Sequence, residues 1–170
     1  MTDEHKQIPL SQDAALVLAL AGTAVAFSHS AEDEAERWLR ALRLHGRVGQ
    51  ALQALGVGES PLMTSSDPRP GRPPLGPAVV DCAMTRAQDY ASRRGASRRG
   101  APTVGTTELL FALMELYGRM FDRALYLRGA SWEELLERLS TVEAEAELVT
   151  GNGARAPAPV ASILRLKLTK

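Results

Sequence analysis

Two hydroxyls and a carboxylate, Thr106-Thr107-Glu108, stand directly ahead of the apolar run Leu109-Leu110-Phe111-Ala112-Leu113. Side-chain oxygens placed there accept hydrogen bonds from the free amides of a helix N-terminus, and a negative charge is favoured at that end of the helix. A few residues upstream a tandem duplication, Ser92-Arg93-Arg94-Gly95-Ala96 and Ser97-Arg98-Arg99-Gly100-Ala101, supplies four arginines. Guanidinium groups bind carboxylate or phosphate through two parallel bonds, so Arg93, Arg94, Arg98 and Arg99 on one loop are equipped to grip an acidic protein surface or a nucleic-acid backbone. A solvated insertion is the third use of such a loop, because loops tolerate added residues.

Catalytic chemistry finds less to work with. Cys82 could be matched with His5, His29 or His45 as nucleophile and base, but its place near the apolar side of a helix predicts a buried, inert thiol, and no stretch offers a nucleophile turn. The three histidines lack zinc-site spacing, and Glu143-Ala144-Glu145-Ala146-Glu147 reads as a solvated helical end, so neither metal nor cofactor is assigned. The sequence holds no G-x-x-x-x-G-K-[ST] phosphate loop and no Gly-Lys pair at all. A non-catalytic binding protein is the expectation.

Composition sets the frame for these groups. Among 170 residues 45% are hydrophobic and only 5% aromatic, which favours an Ala/Leu/Val core between helices. Twenty basic residues balance twenty acidic ones, so no global field draws the chain to nucleic acid or to an anionic membrane, and nucleic acid is the less favoured partner. One cysteine excludes an internal disulfide and agrees with a reducing, cytoplasmic setting. The uncharged segment 14–27 imitates a secretion signal. Asp3, Glu4 and Asp13 outweigh Lys6 ahead of it, and its length falls short of the roughly 20 residues a bilayer requires. It reads as a helix apolar on nearly its whole circumference, buried on most sides.

The elements that must position the polar groups repeat. Ser11 caps the first helix; Glu32-Asp33-Glu34 opens a second, whose apolar face is Trp38, Leu39, Ala41, Leu42 and Leu44; a short third runs from Val48 to Leu55 and ends at Gly56. Residues 58–76, rich in proline and glycine, form an extended connector. A second unit follows from Pro77, with Val79, Val80, Ala83, Ala87 and Tyr90 on one face, the Thr106–Leu113 helix, a break at Gly118, and a short helix before Gly129. Ser131-Trp132-Glu133-Glu134 is a capping box. Gly56 and Gly129 both close an alanine-leucine run and lie 73 residues apart (129 − 56 = 73). The organisation is therefore a tail 1–10, a double-repeat domain 11–140 (11–57, connector 58–76, 77–140) and an extension 141–170. Leu164-Arg165-Leu166-Lys167-Leu168 in that extension alternates as a strand would.

Val104-Gly105-Thr106-Thr107-Glu108-Leu109-Leu110-Phe111-Ala112-Leu113 resembles the V-G-T-E-H-L-L-L-A-L motif of the Clp repeat, the N-terminal domain of Clp-type AAA+ unfoldases. Leu127-Arg128-Gly129-Ala130-Ser131-Trp132-Glu133-Glu134-Leu135 is similar to that family's L-G-V-D-x-E-x-L, and Ala51-Leu52-Gln53-Ala54-Leu55-Gly56-Val57 to its V-L-x-A-L-G-V. The resemblance implies an all-α domain of two pseudo-twofold-related four-helix repeats with a short irregular or strand-like C-terminal tail. It also implies a stand-alone protein- or peptide-binding module: an adaptor, decoy or accessory regulator of a Clp ATPase or protease, or a binder of its clients, lacking the ATPase ring. Some relatives recognise phosphorylated arginine at acidic motif positions. Here those align with Thr107 and Glu108, and in the first unit with Ala35 and Glu36, where the motif is eroded. The alternative is a regulatory domain of the same fold that binds nucleic acid or a signalling partner through the arginine loop.

Overall fold

A computed structural model describes residues 8–58, 71–95 and 101–149. Among these residues the chain is all-α: α1 (Gln12–Val25), α2 (Ala31–Arg43), α3 (Gly46–Ala54), α4 (Ala78–Gly95), α5 (Thr106–Tyr117), α6 (Arg119–Tyr126) and α7 (Trp132–Val149). The extended pairing they contain is one isolated parallel bridge, Leu10 to Val104. Through it Ser11 N donates to Val104 O at 2.8 Å and Val104 N to Pro9 O at 2.9 Å, so the lead-in to α1 is tied to the lead-in to α5. The strand-like stretch 164–168 lies outside the described residues.

Local chemistry sets the helix ends. Ser11 Oγ accepts from Ala14 N at 3.1 Å and Ser30 Oγ from Asp33 N at 3.1 Å, each satisfying an orphan first-turn amide. Both halves of the capping box on α7 form: Glu134 N donates to Ser131 Oγ at 3.2 Å, and Ser131 N to Glu134 Oε2 at 2.8 Å. The repeated endings use one backbone device. Val57 N reaches Leu52 O at 3.0 Å past Gly56, and Ala130 N reaches Leu125 O at 3.2 Å past Gly129. The two glycines hold φ of 74° and 80°, where a Cβ is disfavoured.

The helices interleave. α2 packs on α6 and α3 on α5, while α1 lies on α2 and α4 on α5, and α7 covers α3. Trp38, Leu42, Leu52, Leu110, Phe121 and Leu139 meet in one continuous core filled out by alanines. In α4 the buried line is Val79, Ala83, Ala87 and Ala91, with Val80 and Tyr90 half-buried beside it. This line corrects the expectation for Cys82, which sits one position off it and is exposed. The all-round burial expected of α1 is also corrected. Ala14, Val17, Ala21 and Val25 face the core, but Leu16 and Leu20 remain 42% and 46% exposed because α2, α4 and α5 all pack on one side of the helix. Leu44, placed on the apolar face of α2, is instead its exposed C-cap.

Glu34, fully buried in α2, fastens the connector and both units to one point. Its Oε1 accepts from Gly76 N at 2.9 Å, and its Oε2 from Leu75 N at 3.0 Å and from the Tyr117 hydroxyl at 3.0 Å. Tyr117 Oη in turn accepts from Trp38 Nε1 at 3.2 Å. Arg72 O takes the Ala31 amide at 3.0 Å, so residues 72–76 run across the first turn of α2 and satisfy one of its donors. Burial, and next the charge of Glu34, hold the Tyr117 phenol well above its ordinary range.

Gly56→Ala and Gly129→Ala should each cost about 1 kcal/mol through backbone strain alone, since no neighbouring atom lies within 4 Å of the added Cβ. Gly46→Ala should cost clearly more, because at φ 65° its Cβ would also meet Thr106 Oγ1 at 2.7 Å; urea unfolding of the three variants ranks them. The raised Tyr117 pKa makes a pH prediction. A group whose folded pKa lies above its unfolded value stabilises the fold fully below the latter and loses that contribution as pH rises. Unfolding free energy should fall above about pH 10, the free phenol value, and less steeply in Tyr117→Phe.

Candidate functional site

The sequence singled out Thr106, Thr107, Glu108 and Arg94, and the structure brings these four together. They line a cleft of about 370 Å³ where the start of α5 meets the end of α4 and the start of α3. Gly105 is the residue that caps α5, and Thr106 is the first helical position. With no side chain on Gly105, the capping falls to Glu108, whose Oε2 accepts from Gly105 N at 2.8 Å. Thr106 Oγ1 turns to the other unit and accepts from Val48 N at 3.4 Å, meeting a first-turn amide of α3 whose own cap, His45, gives no side-chain bond. A hydroxyl of the second unit therefore finishes a helix of the first.

Arg94 is not on a solvated loop, because α4 continues to Gly95 and carries it inward. Its Nη1 donates to Glu108 Oε1 at 2.7 Å and its Nη2 to Glu143 Oε1. Burial by itself would lower the pKa of this guanidinium, but the bond and charge of Glu143, together with those of Glu108, outweigh it and hold the pKa up. Glu143 does not belong to the solvated helical end expected of it. It is 2% exposed, because α7 runs on past residue 140 and presents it four residues after buried Leu139. Thr107 Oγ1 lies 3.5 Å from Glu143 Oε1, and Arg47 Nη1 approaches the same oxygen at 3.9 Å from the half-exposed rim. Two carboxylates and two guanidiniums from α3, α4, α5 and α7 thus meet in one cluster, of which all but Glu143 line the cleft.

The remaining expected residues lie elsewhere. Glu36 is not in the cleft: it pairs with Arg128, which also donates to Gly58 O at 3.1 Å and so fastens the end of the second unit to α2. Arg93 is exposed on the outer side of α4, its guanidinium 6.0 Å from the centre of the Tyr90 ring. Arg98 and Arg99 lie outside the described residues. The four arginines therefore do not act as one set, since Arg94 already serves buried carboxylates.

Sequence reasoning missed Arg47, Glu143 and Glu34. A signal existed for two of them: Glu143 continues the Leu135-Leu139 line and Glu34 stands four residues before Trp38, so both are carboxylates on a buried helical stripe. Nothing local marks Arg47, which acquires its role from the packing of α3 on α7.

In the cleft Glu108 is paired with Arg94, while the open walls are Ala91, Ala101 and Pro102 with Thr103, the exposed Asp13 and the Arg47 rim. Among the described residues no group of three or more His, Cys, Asp or Glu side chains is arranged to hold a metal ion, and no helix is long and apolar enough to cross a membrane. No protein-family model matches the chain, and no curated protein matches it.

Removing Arg94 leaves two buried carboxylates facing each other. Arg94→Met should cost about 3 kcal/mol or more in urea unfolding. The double variant Arg94→Met/Glu143→Leu should recover a large part of the loss. Equal stability of the wild type and Arg94→Met would show that the cluster does not hold α4, α5 and α7 together.

Proposed function

We propose that this chain is a non-catalytic protein- or peptide-binding module resembling the Clp N-terminal domain, working as an adaptor, decoy or accessory regulator of a Clp ATPase or protease. The observation that carries this reading is the doubled helical plan. α1–α2–α3 and α4–α5–α6 follow in the same order, and α3 and α6 close on Gly56 and Gly129 with the same left-handed turn. Interleaving of the two sets supports it further, since the seam between them is where the cleft lies and where a bound segment buries surface beside the α5 N-terminus. The internal pairing of Glu108 with Arg94 favours a segment held by the walls and the Arg47 rim over a cation held by Glu108.

The test is direct. Purified chain added to the Clp ATPase of its own cell, with that enzyme's protease partner and a labelled client, should bind saturably and change the degradation rate at least twofold. Arg47→Ala should weaken the binding about tenfold while leaving the unfolding midpoint in place. Absence of both binding and rate change with a competent ATPase would overturn the proposal.

A further inference from the structure

The chain already seats one of its own segments on a helix start. Residues 71–76 cross the first turn of α2, where Arg72 O accepts from Ala31 N at 3.0 Å. Contact there is close: a Cβ on Gly71 would stand 3.1 Å from Ser30 Cβ and 3.1 Å from Glu32 Oε2. Pro73 and Pro74 hold the residue before each of them in the extended region and bring no N–H of their own, so the segment meets the helix with a carbonyl.

α5 is the second helix of its set as α2 is of the first, but its opening turn is less complete. In α2 the Ala31 and Asp33 amides are met by Arg72 O and Ser30 Oγ. In α5 the cap is Gly105, which has no side chain to offer, and the amides of Thr106, Thr107 and Glu108 meet no acceptor among the described residues. These three residues are between 3% and 6% exposed and line the cleft, so their donors face a narrow space in which an unpaired amide is costly. Charge and size choose among the acceptors that could meet them. Three carboxylates, Asp13, Glu108 and Glu143, gather there against the guanidiniums of Arg47 and Arg94, so a further anion is opposed and a neutral carbonyl is preferred. One turn of a helix, about 10 Å across and about 5.4 Å long, already fills the volume of about 370 Å³, so an occupant enters extended.

Building on the peptide-binding reading of the cleft, we propose that it takes an extended, glycine- and proline-rich peptide segment laid across the first turn of α5. Main-chain carbonyls of the segment meet the Thr106, Thr107 and Glu108 amides, and a glycine or alanine stands where the two chains come closest, as Gly71 does on α2. The small walls, Ala91, Ala101 and Pro102, suit such a segment, and the exposed Asp13 favours a basic residue within it, of the kind Arg72 supplies in 71–76. Proline serves this mode well, because a chain already held extended loses little freedom on binding.

The probe is a capped peptide with the sequence of residues 71–76, titrated into the isotope-labelled full chain and followed by amide NMR. The Thr106, Thr107 and Glu108 amide signals should move downfield and saturate, with a dissociation constant of about 1 mM or tighter. A capped, alanine-rich helical peptide of about 16 residues and inorganic phosphate should leave them in place. Thr103→Arg, at an exposed position in the wall, should weaken the peptide response at least tenfold without moving the unfolding midpoint. No movement of the three signals at about 10 mM peptide overturns the proposal. An equal response to the helical peptide, a larger one to phosphate, or a response confined to Ala31 and Glu34, where the peptide would have replaced the connector on α2, overturns it as well. The titration needs no ATPase, so association with a Clp ATPase in the absence of any peptide response overturns this inference alone, and a peptide response without such association overturns only the adaptor role.

Discussion

The fold depends on an ionisable group placed where an ion is costly. Glu34 is fully buried, and its described partners are two backbone amides and a phenol rather than a cation. A carboxylate without those donors would be expensive in that position, so the connector must lie across α2 and Tyr117 must reach in from α5. The constraint acts on geometry more than on net stability: each donor satisfied there fixes the relative position of two segments that are 41 to 83 residues apart in sequence. Trp38 extends the same chain of bonds into the centre of the core.

The cleft obeys the same rule with opposite charges added. Glu108 and Glu143 are both buried, and Arg94 between them turns what would be a repulsion into the joint of α4, α5 and α7. Because Glu108 also supplies the missing cap of α5, the helix start and the ion cluster cannot be varied independently. The rest of the cleft lining is small residues with Asp13 and the half-exposed Arg47 at its rim. Glu36 and Arg128 do similar joining work on the other side of α2, away from the cleft.

Most of the fold was legible in residue order. Ser11, the Ser131–Glu134 box, Gly56 and Gly129 mark helix ends through interactions only three to five residues long, and such signals need no tertiary context. The candidate site was legible in part. Residue type and local position single out Thr106, Thr107, Glu108 and Arg94, but Arg93 and Arg94 stand on a helix and not on the loop expected for them. The helix continued where Ser92-Arg93-Arg94-Gly95 gave no strong stop, and a buried carboxylate pair rewarded the continuation.

Sequence by itself determined the helices and most of their ends, because these follow from the period of apolar residues and from side chains bonding to amides a turn away. Tertiary structure decided which polar residues are spent and which remain free. It buried Glu34 and Glu143, turned Cys82, Leu16 and Leu20 outward, and set Thr106 of one unit to finish a helix of the other. The physical reason is that the fate of a charge or an apolar side chain depends on what the other helices bring opposite it, and local spacing carries no record of that.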